Sequence, residues 1–72
     1  MSYKVYTFRG FARAESFQDA SNLAVQLIRD IRRDKFGSVY WWARIEETES
    51  QMFELVSYRY GYGFMWSGLK SY

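Results

Sequence analysis

Few residues in this chain have the types and spacing that chemistry requires. There is no His and no Cys among its 72 residues, which removes the commonest general base, the commonest metal ligand and the thiolate nucleophile. A nucleophile would have to be Ser, Lys or Asp, activated by a neighbouring carboxylate or amine. No Gly-rich phosphate loop follows a strand, and Gly61 and Gly63 are spaced as strand glycines. Glu46, Glu47 and Glu49 resemble a loose cation site but lack a calcium-loop pattern, so a solvated turn is the better account. Catalysis, a metal and a cofactor are therefore not expected. What remains is binding chemistry. Ser57–Trp66 reads SYRYGYGFMW, and Tyr58-Arg59-Tyr60 and the Trp42/Arg44 pair interleave aromatic rings with base. That combination stacks on single-stranded bases and equally anchors protein interfaces.

The elements that must position these residues are few. Tyr3–Arg9 (YKVYTFR) is rich in β-branched and aromatic residues and reads as a strand, with Gly10 as a bulge or turn and Phe11–Ala14 extending it, giving a strand over about 3–13. Ser16 is placed as an N-cap with Asp19 in the first turn. Phe17, Ala20, Leu23, Ala24, Leu27, Ile28 and Ile31 then repeat with helical spacing, which predicts an amphipathic helix over 16–36 closed by Gly37 at C′. Ser38–Glu47 reads as a strand, Thr48–Gln51 as a hairpin turn and Met52–Tyr60 as the returning strand. A short strand over 62–66 follows, and Gly68–Tyr72 reads as a fraying tail. The order is β-α-β-β(-β) in a single domain: an α+β fold with one helix on one face of a small, mostly antiparallel sheet.

Alternation assigns faces. In Ser38–Glu47 the odd positions Val39, Trp41, Ala43 and Ile45 are apolar and are expected to face the helix, with Tyr40, Trp42, Arg44 and Glu46 pointing away. Neither set in Met52–Trp66 is cleanly polar. One helix cannot cover both faces, so the far face should retain several of Tyr6, Tyr40, Trp42, Tyr58, Tyr60 and Tyr62. Each ring carries about 150–250 Å², so a few together reach the size at which an exposed apolar patch signals a partner. The blander explanation is that cross-strand Tyr pairs simply stabilise small sheets. It suffices for any one Tyr, but Trp41, Trp42 and Trp66 are hard to place in so thin a core.

Charge narrows the partner. The net charge is +2, from ten Lys/Arg and eight Asp/Glu. Glu46, Glu47, Glu49 and Glu54 predict an acidic tip. Arg29, Arg32, Arg33 and Lys35 predict a secondary basic patch at the helix end, which helix-end electrostatics also explains. The candidate binding residues are Tyr40, Trp42, Arg44, Tyr58, Arg59, Tyr60 and Tyr62. A protein partner is preferred, because neither net charge nor motif supplies the electrostatic attraction that nucleic-acid affinity needs. A single-stranded nucleic acid is the alternative, and closure of a homodimer is a third. No apolar run is long enough for a membrane span, no signal peptide is evident, and the lack of Cys favours a cytoplasmic setting.

Ala14-Glu15-Ser16-Phe17, with Ala20 and Leu23-Ala24 and then a hairpin of Val39–Ile45 and Phe53–Tyr58, resembles the compact β-α-β-β proteins that phages and mobile elements encode to inhibit host machinery. Anti-CRISPR proteins and phage inhibitors of RNA polymerase are examples. The likeness spans roughly residues 3–60 in pattern and size. It implies a non-enzymatic inhibitor that occupies a host protein or ribonucleoprotein complex and blocks nucleic-acid access or subunit movement. The aromatic C-terminal segment is richer than that pattern requires.

Overall fold

The structure, a computed structural model, describes residues 2–7, 9–34 and 40–71. Its elements are β1 (Tyr3–Thr7), β2 (Gly10–Ala14), α1 (Phe17–Asp34), β3 (Tyr40–Glu47), β4 (Met52–Arg59), β5 (Gly63–Trp66) and β6 (Lys70–Ser71). The strands form an antiparallel sheet in the order β2-β1-β3-β4-β5, with β6 also paired to β4, and α1 packs across one face. This is the α+β arrangement expected from the sequence. The expected helix C′ residue Gly37, the start of the third strand at Ser38 and the inward Val39 lie outside the described residues.

The helix begins where its first residues dictate. Ser16 Oγ accepts the Asp19 N–H at 3.1 Å and the Ser16 carbonyl accepts Ala20 N–H at 2.9 Å, so the capping hydroxyl satisfies one of the helix's orphan donors. The buried stripe is Ala20, Ala24, Ile28 and Ile31, with Leu23 and Leu27 at its margins; Phe17, expected in the stripe, is instead exposed at the helix start, its ring edge-on to Tyr3 at 5.9 Å. Its N-terminal half is built from alanines, which let the helix backbone approach the sheet. Against it lie Val5 from β1, Trp41, Ala43 and Ile45 from β3, and Val56 from β4.

Two expectations are corrected. The single strand over 3–13 is a hairpin: β1 and β2 pair from Tyr3↔Ala14 to Thr7↔Gly10, and Gly10 adopts φ +123° at its turn. A left-handed backbone there is open to glycine and strained for other residues. The C-terminal tail is ordered as an edge. β5 runs along Val56–Arg59 and β6 along Met52–Phe53, with a break between them at Ser67–Leu69. Ser67 bridges that break. Its N–H donates to the Leu55 carbonyl at 3.0 Å, and its Oγ accepts the Leu55 N–H at 3.0 Å. The hydroxyl thus takes the part of a ladder carbonyl. The same Oγ lies 3.1 Å from a carboxylate oxygen of Glu54 and 2.9 Å from the Gly68 carbonyl, two acceptors for its one proton.

Two substitutions test this core. Ile28→Ala removes a fully buried side chain, with an expected loss of about 2–5 kcal/mol. That is a large share of the roughly 4–11 kcal/mol expected for a domain of this length, so urea titration should find the midpoint sharply lowered. Ser67→Ala leaves both the Leu55 N–H and buried Glu54 short of a partner, and the urea midpoint should fall by the equivalent of about 1–3 kcal/mol.

Candidate functional site

The inward face of the sheet is fixed by burial. Val5, Thr7, Trp41, Ala43, Ile45, Glu54 and Val56 are all buried. Register then places the outward residues. Tyr6 pairs with Phe11 on β2 and with Arg44 on β3, Arg44 pairs with Leu55 on β4, Trp42 with Ser57, and Ser57 with Met65 on β5. Paired residues share a side, so these side chains form one continuous surface from β2 across β1, β3 and β4 to β5. Among the described residues no element covers it.

This surface is apolar where an ordinary solvent face would be polar. Phe11 is 55% exposed, Trp42 38%, and Leu55 37%, and Met65 is more open still. The sharpest anomaly is in β4, which turns Leu55 outward and buries Glu54 at 6% exposure. Leu outward and Glu inward is the reverse of each residue's own preference. Burying a carboxylate costs free energy unless it is hydrogen-bonded, and Ser67 supplies a hydroxyl to Glu54. Among the trio of tryptophans only Trp41 is inside. A shallow groove of about 210 Å³ runs between Trp42, Leu55, Ser57, Met65 and Trp66. It is smaller than the clefts of about 300 Å³ and above that enclose drug-sized ligands, so the face suits an extended or broad partner.

Cations are woven through the rings. Lys4 Nζ lies 5.3 Å and the Arg13 guanidinium 5.9 Å from the Phe11 ring centroid, and the Arg44 guanidinium lies 5.2 Å from that of Tyr6. Tyr6 and Phe11 themselves are 5.6 Å apart. Arg44 also pairs with Glu46 at 2.6 Å. Such contacts each contribute about 0.5–1 kcal/mol at exposed positions; they hold the side chains flat against the sheet.

The candidate residues separate into three groups. Trp42, Arg44 and Arg59 share the outward face by register. Tyr40 opposes Arg59 in the ladder. Tyr60 and Tyr62 lie in the β4–β5 turn at the end of the sheet, strongly exposed, with Arg59 stacked 5.5 Å from the Tyr62 ring. Tyr58 does not belong with them. It lies on the helix side, half-buried between Trp41 at 5.8 Å and Phe64 at 5.0 Å, with the Arg32 guanidinium 3.6 Å above its ring. The outward set of β4 is the odd one, because the β3–β4 turn offsets the two strands so that Ala43 meets Val56.

The basic patch likewise divides. Arg32 is folded onto Tyr58 and Trp41, Arg29 lies 5.9 Å from the Phe64 ring, and Arg33 reaches Asp30 at 3.6 Å. Arg32 and Arg29 thus lie against the edge of the core, while Arg33 stays exposed beside Asp30; Lys35 lies outside the described residues. Glu54 leaves the expected acidic tip for the interior. Gly61 lies in the β4–β5 turn and Gly63 opens β5 opposite Arg59, with φ +88° and +84°.

Phe11, Leu55, Met65, Lys4 and Arg13 complete the face beyond the candidates read from the sequence, beside Tyr6, one of the rings expected there. From the sequence, Gly10 is expected as a bulge or turn with the same strand continuing past it; because the chain reverses there, Phe11 and Arg13 alternate outward beside Tyr6 and Lys4. Among the described residues no group of carboxylates converges as a metal site, and no helix is long and apolar enough to cross a membrane.

Tyr58 and Phe11 should behave oppositely on truncation. Tyr58→Ala is expected to lower stability by about 2–4 kcal/mol, as for other packed aromatics, and Phe11→Ala by no more than about 1 kcal/mol. Thermal melts followed by circular dichroism check both. Comparison of the chain with protein-family models, curated proteins and solved structures finds no match.

Proposed function

We propose that this protein is a non-enzymatic binding module that acts by laying the helix-free face of its sheet on a nucleic-acid-processing or ribonucleoprotein complex. The observation that carries the reading is the inversion in β4, where Leu55 faces out beside Trp42 and Phe11 lies exposed on the same face while Glu54 is buried. A sequence under no demand beyond folding would place Leu inward and Glu outward. Departures of this kind concentrate at functional surfaces, and an exposed apolar patch rimmed by charge is the form a docking site takes. Occupying a surface requires no catalytic group, in keeping with a chain that has neither His nor Cys. In its specific form the reading is the one the sequence resemblance implies: a small phage-type inhibitor, anti-CRISPR-like, working in the host cytoplasm by steric obstruction of an assembly such as a CRISPR effector or RNA polymerase.

The test is capture from host lysate on immobilised wild-type protein and on a Phe11→Ala/Trp42→Ala variant matched for folding by circular dichroism. A complex retained by the wild type and lost by the variant is the expected result. Equal capture by both, or capture by neither, removes the reading.

A further inference from the structure

We propose that the ligand of this face is single-stranded nucleic acid, held by ring stacking and by a cationic frame that the fold gathers on one side of the sheet. The inference rests on the docking role of the face and names its occupant. Its basis is the segregation of charge. The chain as a whole carries only +2. By register, Lys4, Arg13, Arg44, Arg59 and Lys70 all lie on the outward side, and the one carboxylate sharing it among the described residues is Glu46. Glu15, Asp19, Asp30 and Asp34 lie on the helix or its approach, Glu47 and Glu49 at the β3–β4 hairpin, and Glu54 inside. The face is therefore far more positive than the composition suggests, and its charge complements a phosphate backbone.

Stacking surfaces lie inside that frame. Phe11 and Tyr6 stand side by side, and Trp42 lies one strand over and two residues along, which is about 8 Å away from strand spacing and rise. Every base has a π-face, so such a platform takes bases without demanding a sequence. Lys4 and Arg13 lie within 6 Å of the Phe11 ring, which sets phosphate-binding groups beside stacked bases, while Arg44, within 6 Å of the Tyr6 ring, is paired with Glu46. A flat open sheet also suits an unpaired strand better than a duplex, whose bases are turned inward and out of reach of the rings.

The experiment is fluorescence-anisotropy titration of labelled oligothymidylate and oligouridylate of about twelve nucleotides, within the span one small sheet module covers, alongside a duplex of equal length. Wild-type protein should bind the single strands in preference to the duplex. Affinity should fall about 50-fold between about 50 and 200 mM salt, the loss expected when roughly four phosphates are neutralised on a single strand. Trp42→Ala and, separately, Phe11→Ala should each weaken binding by about 5- to 100-fold, the effect of removing one stacked base. Arg13→Ala should lower the slope of log affinity against log salt by about 0.7, and Gln26→Ala on the far side of the helix should change neither.

Absence of single-strand binding at low salt by folded protein overturns the proposal. So does binding that ignores both ring substitutions or is equally strong for duplex. If the oligonucleotides fail while a nuclease-resistant protein is captured from lysate and lost with Phe11→Ala/Trp42→Ala, the occupant is protein and the docking reading survives alone. Failure of both experiments removes both.

Discussion

One helix against a five-strand-wide sheet leaves half of that sheet without cover, and the molecule is organised around this shortage. α1 lies mainly over β1 and β3, and its alanines at 20 and 24 draw it close enough to seal Val5, Ala43, Ile45 and Val56 from water. The stabilisation from that layer is all a small domain of this kind has, since it has no disulfide to restrain the unfolded chain. Among the described residues, the other large side chains of the sheet then lie at the core's edge, on the outward face or in the β4–β5 turn. Trp41 and Tyr58 take the edge, closed by Arg32 and Phe64. Phe11, Trp42, Leu55 and Met65 take the face.

The two groups of arginines follow from the same geometry. A guanidinium stacked on a ring remains charged and partly hydrated while its planar body excludes water from the aromatic beneath. On the helix side Arg32 serves as a lid for Tyr58 and Trp41 and is thereby withdrawn from any open basic patch. On the outward face Arg13 lies along Phe11, and Arg44 lies along Tyr6 with its charge paired to Glu46, neither burying the ring beside it. The same residue type thus closes a core on one side of the sheet and, in the proposed function, frames a binding surface on the other.

The C-terminal edge shows how the inversion in β4 is sustained. Turning Leu55 out forces Glu54 in, and a lone buried carboxylate would be costly. The broken β5–β6 edge places Ser67 beside both residues, so one side chain completes the Leu55 ladder and contacts the Glu54 carboxylate. A segment of glycine, serine and aromatics that reads as loose tail is in this way tied to the exposed leucine of the candidate site.

The sequence by itself determined the helix, its cap at Ser16, its buried stripe, the hairpin of β3 and β4, and the inward set Trp41, Ala43 and Ile45. These are local or strictly periodic features, and each residue's own preference agrees with the result. It also fixed that the rings outnumber the places to hide them. Only the tertiary structure decided which rings lie outside. The face of Tyr58 depends on the offset between β3 and β4, and the outward place of Phe11 and Arg13 on a reversal at Gly10. A shift of one residue in either would move every side chain of the strand to the opposite side. The charge of the face was hidden for the same reason: composition sums over the whole surface, whereas strand pairing sorts Lys4, Arg13, Arg44, Arg59 and Lys70 to one side, where Glu46 is the one carboxylate among the described residues.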